Sequence, residues 1–453
     1  MNILIVNGSP KGPYSITLQT CLYLELLHPE HTFSCLHAGQ KIRAYEKDFS
    51  EPLAAIKQAD AIVFAYPVYT FLVPAQLHRF IELMKEHQAE IAGKFATQIS
   101  TSKHFYDITA HGFIRDNCRD LGLRYIRGLS ADMDDLTAEK GQKDARAFFD
   151  YFIWCTEQGI CEKPFGSYST PKHAPVSVPE GHDSSGKTGD IVVVADLAPD
   201  DVQLKSMIDR FGAVCPKKVR VVNIHDFPFR GGCISCFNCS SDGVCIYQDG
   251  FTDLLRNEIQ TAEAIVPAFT VRDHSMGSLF KTYDDRQFCN GHRTVTMGRP
   301  FGYLVSGNLS EEENLRTVLE ARAEVGGNFL AGIATDETDP DGEIDALAAK
   351  ITYAVSHAYT QPADFYGVGG MKIFRDLIWL MQGLMKADHR FYKAHHQYDF
   401  PQKKRGKMLA MYLVGGMMNN KKLKTKMGSK LNDGMIMPYR KVLEKAAKEK
   451  QKP

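Results

Sequence analysis

Short apolar runs alternate with longer amphipathic segments along most of this chain. Runs at 2–7, 31–36, 60–66, 95–101 and 123–129 read as strands, and so do runs at 190–196, 218–224, 263–269, 301–306 and 328–334. Each is only six or seven residues, and the runs at 2–7, 60–66, 190–196 and 263–269 are mostly apolar, as strands buried on both faces of a parallel sheet are. Between them lie segments with helical spacing, such as Pro74 to His87 and Glu311 to Val325. Strand and helix in strict alternation predict an α/β architecture of two doubly wound, five-stranded parallel sheets.

The two sets of strands are related by an internal repeat. Ala59-Asp60-Ala61-Ile62-Val63-Phe64-Ala65 resembles Ala262-Glu263-Ala264-Ile265-Val266-Pro267-Ala268 at an offset of 203. Gly122, Gly128 and Asp132 return as Gly326, Gly332 and Asp336 at an offset of 204. So long a period means duplication of a whole domain. The boundaries follow: a first domain over 1–161, a second over 189–360, and between them a linker, 162–188, rich in Pro, Ser, Gly and Lys without apolar periodicity. Beyond 360 the pattern changes to a mostly helical, basic extension over 361–453.

Composition adds constraints. The chain has 453 residues, 44% hydrophobic and 24% charged, the balance of a globular protein. Net charge is zero, so no bulk charge selects nucleic acid or a membrane surface as partner. The charge is unevenly placed: from Lys403 to Pro453 there are 15 Lys or Arg against 3 Asp or Glu. Such a tail is a solvated helical appendage or a docking element for an acidic surface. No basic leader precedes the first apolar run, and no run reaches the ~18 residues a spanning helix needs. The expectation is a cytoplasmic protein without a membrane span. In that compartment the 11 cysteines are not a disulfide framework: clustered ones are read as metal ligands or redox groups, and most of those at 21, 35, 118, 155, 161, 215 and 289 as buried small hydrophobes.

In the first half, strand one runs into Asn7-Gly8-Ser9-Pro10-Lys11-Gly12-Pro13-Tyr14-Ser15-Ile16-Thr17 and then a helix. Free backbone N–H groups at a helix start, flanked by hydroxyls and a lysine, suit a phosphate dianion. Strand three ends in Ala65-Tyr66-Pro67-Val68-Tyr69-Thr70-Phe71-Leu72-Val73-Pro74-Ala75-Gln76-Leu77. Together, G-S-P-K-G-x-x-S-x-T and Y-P-V-Y-x-x-x-V-P-A-Q-L resemble the NADPH-dependent FMN reductase family of the flavodoxin-like superfamily. The resemblance implies FMN, with Ser9, Lys11, Ser15 and Thr17 on its phosphate and Pro67, Val68, Tyr69, Thr70 and Phe71 along the isoalloxazine ring. It also implies that Thr101 and Ser102, with Lys103, close the other side, although this loop departs from the Gly-rich form common in relatives.

The second half has lost that site and gained another. Its strand one runs into Ala195-Asp196-Leu197-Ala198-Pro199-Asp200-Asp201, whose three aspartates repel phosphate. After its second strand comes Cys233-x2-Cys236-x2-Cys239-x5-Cys245. Four thiolates so close together suit an iron–sulfur cubane, with zinc or redox-active thiols as the competing readings. The run is similar to that of the iron–sulfur flavoproteins, which implies a [4Fe–4S] cluster on Cys233, Cys236, Cys239 and Cys245. The whole chain then resembles a tandem duplication of that family, with flavin and cysteines divided between two halves that pair as an internal pseudo-dimer.

The function implied is an NAD(P)H-dependent flavin oxidoreductase that passes electrons from FMN, by way of the cluster, to a quinone, a small organic acceptor or an electron carrier. Its partners would be a nicotinamide nucleotide, that acceptor, an electron-carrier protein and a second copy of the chain. An electron-transfer flavoprotein reduced by a ferredoxin-like partner is the alternative. In the extension, Ala387 to Pro401 is dense in aromatics and histidine and reads as packing residues; adjacent His395 and His396 diverge on a helix and make a poor metal pair.

Overall fold

The computed structural model describes residues 1–87, 89, 91–162, 173–179, 186–240 and 242–418. Much of the expected linker and the basic tail beyond 418 therefore lie outside the described residues. Two parallel sheets carry the chain. The first uses β1 (Asn2–Asn7), β2 (Thr32–Leu36), β3 (Ala61–Pro67), β4 (Phe95–Ser102), β5 (Arg124–Tyr125) and β6 (Leu129–Asp132). The second uses β7 (Ile191–Ala195), β8 (Val219–Asn223), β9 (Ala264–Thr270), β10 (Pro300–Ser306) and β11 (Phe329–Thr335). The orders β2-β1-β3-β4-β5 and β8-β7-β9-β10-β11 are the same topology twice. Every pairing is parallel, and the central strands are buried on both faces, which is why they read as unbroken apolar runs.

One strand differs from expectation. The run at 123–129 is two short strands, which makes the first sheet six-stranded. Phe95 and Ala96 pair with Arg124 and Tyr125, but Ile99 pairs with Leu129, so the register slips by one residue. The slip falls where Gly128 passes over Gln98: a Cβ there would lie 2.2 Å from the Gln98 carbonyl oxygen. Close backbone contact lifts the chain off the ladder at this point.

The two sheets share one compact unit that runs to Phe391. The described linker residues 173–179 lie along the second half, where the Ala174 N–H donates to the Asp336 carbonyl (2.7 Å) and the Ser177 N–H to Asp341 (3.0 Å). The helix Phe365–Leu380 also belongs to this unit and packs on the helix Glu313–Val325; the Asp364 and Gly367 N–H groups donate to the Glu324 carboxylate. The unit from Tyr392 onward contains a chain of rings, Tyr392, Tyr398 and Phe400, and the helix Arg405–Met418. Among the described residues no helix is long and apolar enough to cross a membrane.

Equivalent elements of the two halves meet. The helix Ala75–Glu86 packs on its counterpart Gly277–Arg286, and the helix Asp107–Asp120 packs on Glu313–Val325. At the second contact, Asn314 donates to the Thr109 carbonyl and lies where a Cβ on Gly112 would fall. A buried ionic cluster seals the join. His274 sits with Nδ1 2.9 Å from Glu312 and Nε2 2.9 Å from Asp120, while Lys85 lies 2.7 Å from Asp120 and 2.8 Å from Asp273. An imidazole facing a carboxylate at each nitrogen satisfies both only as the cation. Burial alone would lower the His274 pKa, but the bonds to Asp120 and Glu312 outweigh it and push it up to about 9. Burial likewise opposes ionisation of Asp120, yet His274 and Lys85 hold its carboxyl down at about 2.

The sign of the pH effect follows. His274 has a folded pKa above its unfolded value, so its contribution is complete below about pH 6.5 and is lost as pH rises through about 9. His274→Asn is expected to cost roughly 3 kcal/mol at pH 6.5, as breaking a buried ion pair does. Denaturant unfolding of both proteins from pH 6 to 10 should show that gap closing above pH 9.

Candidate functional site

The site begins where β1 meets its helix. Asn7 Nδ2 donates to the Gly12 carbonyl (2.9 Å), and its Oδ1 accepts from the Ser9 N–H (3.2 Å), which folds the loop back on the strand end. Gly12 takes φ +54°, open to glycine without cost. Ser15 caps the helix Ile16–Leu27 by accepting from the Leu18 N–H (3.3 Å). The remaining N–H groups of that first turn face the loop, together with the Ser9 hydroxyl and Lys11. Thr17 Oγ1 lies 2.6 Å from Thr101 Oγ1, which ties the loop to the end of β4.

Beside it, Pro67 to Phe71 leave β3. Val68 N–H donates to the Thr101 carbonyl (3.1 Å), and Tyr69 and Leu72 exchange two backbone bonds around Thr70 and Phe71. Both intervening residues are left-handed, Thr70 at φ 38° and Phe71 at φ 71°. Such backbone is costly for non-glycine residues and marks a feature held by its surroundings. Lys103, on the third loop, is bound to Asp132 (2.6 Å) and Asp134 (2.7 Å).

The cysteine run folds directly onto this shelf. Gln76 Nε2 donates to the Cys233 carbonyl (3.2 Å), Arg43 donates to the Phe229 carbonyl (3.0 Å), and Lys11 Nζ lies 5.1 Å from the Phe237 ring centroid. Within the run, Gly231, Ser235, Phe237 and Gly243 all take positive φ, so the chain curls tightly about its own sulfurs. The Ser235 N–H points at Cys233 Sγ (3.4 Å), and Cys239 Sγ is 3.3 Å from the Phe288 carbonyl. Burial raises the Cys233 thiol pKa and pushes that of Cys239 up to about 11. Arg286 is buried behind the run, bonded twice to Asp249 (2.8 Å each) and 4.5 Å from the Tyr247 ring centroid.

All the residues singled out in sequence line one cavity of about 410 Å³: Ser9, Lys11, Ser15, Thr17, Pro67 to Phe71, Thr101 and Ser102 from the first half, and Cys233, Cys236, Cys239 and Cys245 from the second. Among the described residues, the metal-capable ligand atoms that gather within 4.8 Å in a group of three are those of His78, Glu82 and Asp273. The cysteine sulfurs are spread wider than that, and wider than the roughly 3.8 Å separation that four ~2.3 Å bonds to one tetrahedral zinc ion would impose.

Residues 1–121 match the family described as having the flavodoxin-like fold. The iron–sulfur flavoprotein of Archaeoglobus fulgidus is 28% identical over 174 residues, which is 36% of this chain and 77% of that protein. Among solved structures, an FMN-dependent NADH-azoreductase from Bacillus anthracis, in complex with FMN, is 14% identical with a TM-score of 0.26, over 35% of this chain and 98% of that one. The NAD(P)H:(acceptor) oxidoreductase of Paracoccus denitrificans is 19% identical with a TM-score of 0.29, over 35% of this chain and 97% of that one. Residues 1–121 thus carry the flavodoxin-like fold, and the second sheet repeats its strand order.

In the second half the loop after β7, equivalent to the Ser9–Thr17 loop, is filled by its own side chains. Asp201 caps the helix Val202–Val214 by accepting from the Leu204 N–H and also accepts from Thr270; Asp196 bonds His225 (2.8 Å). Sequence reasoning missed several residues of the cavity wall. Phe288, His292 and Phe374 line it; His292 meets the Phe374 ring edge-on at 4.6 Å between centroids. Asp388, nearly solvent-free, accepts from the His292 N–H (3.3 Å) and sits where a Cβ on Gly291 would fall. No motif announced them, since helix and turn residues that become a wall by tertiary packing look like any others. Cys289, outside the four-cysteine run, is buried and also lines the cavity.

Ser15→Ala removes the cap of the helix that frames the loop. It is expected to cost about 1 kcal/mol, read as a lower urea midpoint with an unchanged slope.

Proposed function

We propose that the chain is an NAD(P)H-dependent flavin oxidoreductase that binds FMN in its first half and a [4Fe–4S] cluster on Cys233, Cys236, Cys239 and Cys245 in its second. The observation that carries this reading is the shared cavity: two residue sets separated by more than a hundred positions in sequence line one space. FMN fits the first set. The loop from Ser9 to Thr17 supplies hydroxyls, a lysine and helix N–H groups to a phosphate dianion, and Pro67 to Phe71 supply a flat backbone edge to a planar ring.

The cubane fits the second set better than zinc does. Four cysteines at x2, x2 and x5 spacing, curled by left-handed Ser235 and Phe237, suit a cubane as ferredoxin-type runs do, whereas structural zinc sites use two well-separated C-x2-C pairs. Burial raises the thiol pKa values of Cys233 and Cys239, and metal loading of a thiol releases its proton. The relative from Archaeoglobus fulgidus is named an iron–sulfur flavoprotein, which supports pairing a cluster with a flavin.

Bound FMN would accept hydride from a nicotinamide, and the cluster would pass electrons on singly. The protein's part is to hold both against one cavity. Tyr69 packs against Phe288 at 5.7 Å between centroids, and Gln76 bonds the Cys233 carbonyl, so shelf and cysteine run are in direct contact. The electron donor would be a nicotinamide nucleotide; the acceptor would be a quinone, another small organic molecule or an electron-carrier protein. The cytoplasm suits the reduced thiols that the cluster requires.

Anaerobic purification followed by flavin, iron, sulfide and zinc analysis tests the assignment. The expected result is about one FMN, four iron and four sulfide per chain, with Cys245→Ser losing iron but keeping flavin. NADH or NADPH should then bleach the flavin absorbance. Zinc without sulfide would overturn the cluster, and flavin reduced only by a low-potential protein donor would make the chain an electron carrier rather than an enzyme.

A further inference from the structure

The left-handed turn Thr70–Phe71 is held by side chains of the other half. Lys281 and Asp285, one helical turn apart on Gly277–Arg286, are both fully buried and paired with each other. Lys281 Nζ donates to the Tyr69 carbonyl (3.0 Å) and to Thr70 Oγ1 (2.6 Å). Asp285 accepts from Thr70 Oγ1 (2.7 Å) and from the Ala75 N–H (2.9 Å). Thr70 thus accepts from the cation and donates to the anion.

The same device exists in mirror form. At the offset of 203, Asp273 and His274 take the places of Thr70 and Phe71, with φ 51° and 61°. His78 and Glu82 take the places of Lys281 and Asp285, and Glu82 accepts from the Ser278 N–H (2.8 Å) as Asp285 does from that of Ala75. This explains the gathering of His78, Glu82 and Asp273 without a metal: Lys85 already lies 2.8 Å from Asp273 and Arg79 2.9 Å from Glu82. The two locks differ in what they hold. The mirror turn belongs to the half whose phosphate position is filled by Asp196 and Asp201. The Lys281–Asp285 lock holds the turn that lines the cavity beside the phosphate loop.

We infer that Lys281 and Asp285 are positioning residues for the flavin: the second half, acting as a built-in partner, fixes the Tyr69–Phe71 backbone against which the isoalloxazine ring lies. This rests on the FMN reading above. A carbonyl and a hydroxyl clamped by a buried ion pair cannot swing to follow the ring, so the shelf is preorganised before the cofactor arrives.

Removing either member of a buried ion pair strands the other and threatens folding. The test therefore removes the object held. Thr70→Val keeps the branched shape and the Lys281–Asp285 pair but loses both side-chain bonds; Thr70→Ser keeps the hydroxyl. Ser278→Ala removes one side-chain bond to Glu82 in the mirror lock, and neither residue lines the cavity shared by the phosphate loop and the cysteine run. FMN titration of the full apo-flavin chain by fluorescence quenching, with the flavin midpoint potential and iron content of the reloaded protein, gives the readout. Thr70→Val is expected to weaken FMN binding about tenfold, as loss of a buried bonded pair does, and to shift the flavin potential at unchanged iron content. Thr70→Ser and Ser278→Ala should match the wild type. Unchanged affinity and potential in Thr70→Val would overturn the inference, and so would equal weakening by Ser278→Ala, which would mean general loosening of the join. A wild-type chain that binds no FMN would instead defeat the flavin reading itself.

Discussion

Everything in the site depends on the packing of the helix Ala75–Glu86 against its counterpart Gly277–Arg286. Neither sheet supplies a closed cavity by itself. The first half offers loops at the carboxyl ends of β1, β3 and β4, where ligands of doubly wound sheets sit. The second half offers a curled cysteine run after β8. The helix contact turns these two open edges toward each other. It does so with charge as well as shape: Lys281 and Asp285 reach across in one direction, and Lys85 and Asp120 reach across in the other. The core is accordingly continuous, with Phe80 and Leu77 of one half in the same apolar cluster as Phe251, Phe280 and Tyr283 of the other.

Duplication leaves this join nearly symmetric while the two ends of the cavity diverge. The left-handed turns, their bridging bonds and the i, i+4 pairs beneath them recur at one offset. What changed is the chemistry next to them. Gly8, Ser9 and Gly12 stand in one half where Asp196 and Asp201 stand in the other, and buried carboxylates such as Asp196, bonded to His225, disfavour an anion there. The cysteine run extends from the second half to touch Gln76 of the first. Symmetry was retained where it serves packing and lost where it serves ligands.

Much of this was legible in the chain because it rests on local rules. Strands buried on both faces read as apolar runs, and ten expected runs lie on the observed strands. The phosphate loop and the cysteines were visible through spacing. What stayed hidden depends on contacts between distant residues. The split between β5 and β6 arises from Gly128 meeting Gln98. Lys281 and Asp285, at i and i+4, look in sequence like an exposed helix ion pair, and only the arrival of the Thr70 turn buries them. Likewise nothing local marks Asp388 as a support for His292, since one belongs to the segment beyond the second sheet and the other to a loop within it.

The covalent connection between the halves has a consequence for how the assembly behaves in dilute solution. A cavity shared by two separate subunits would open as concentration falls below their dissociation constant. Here the two walls are one molecule, and the join is an intramolecular event with an effective concentration set by the tether. Dilution cannot separate Thr70 from Lys281, nor Gln76 from Cys233. The composition of the site is therefore fixed at synthesis: one phosphate loop to one set of four cysteines in every molecule, whatever the abundance of the protein.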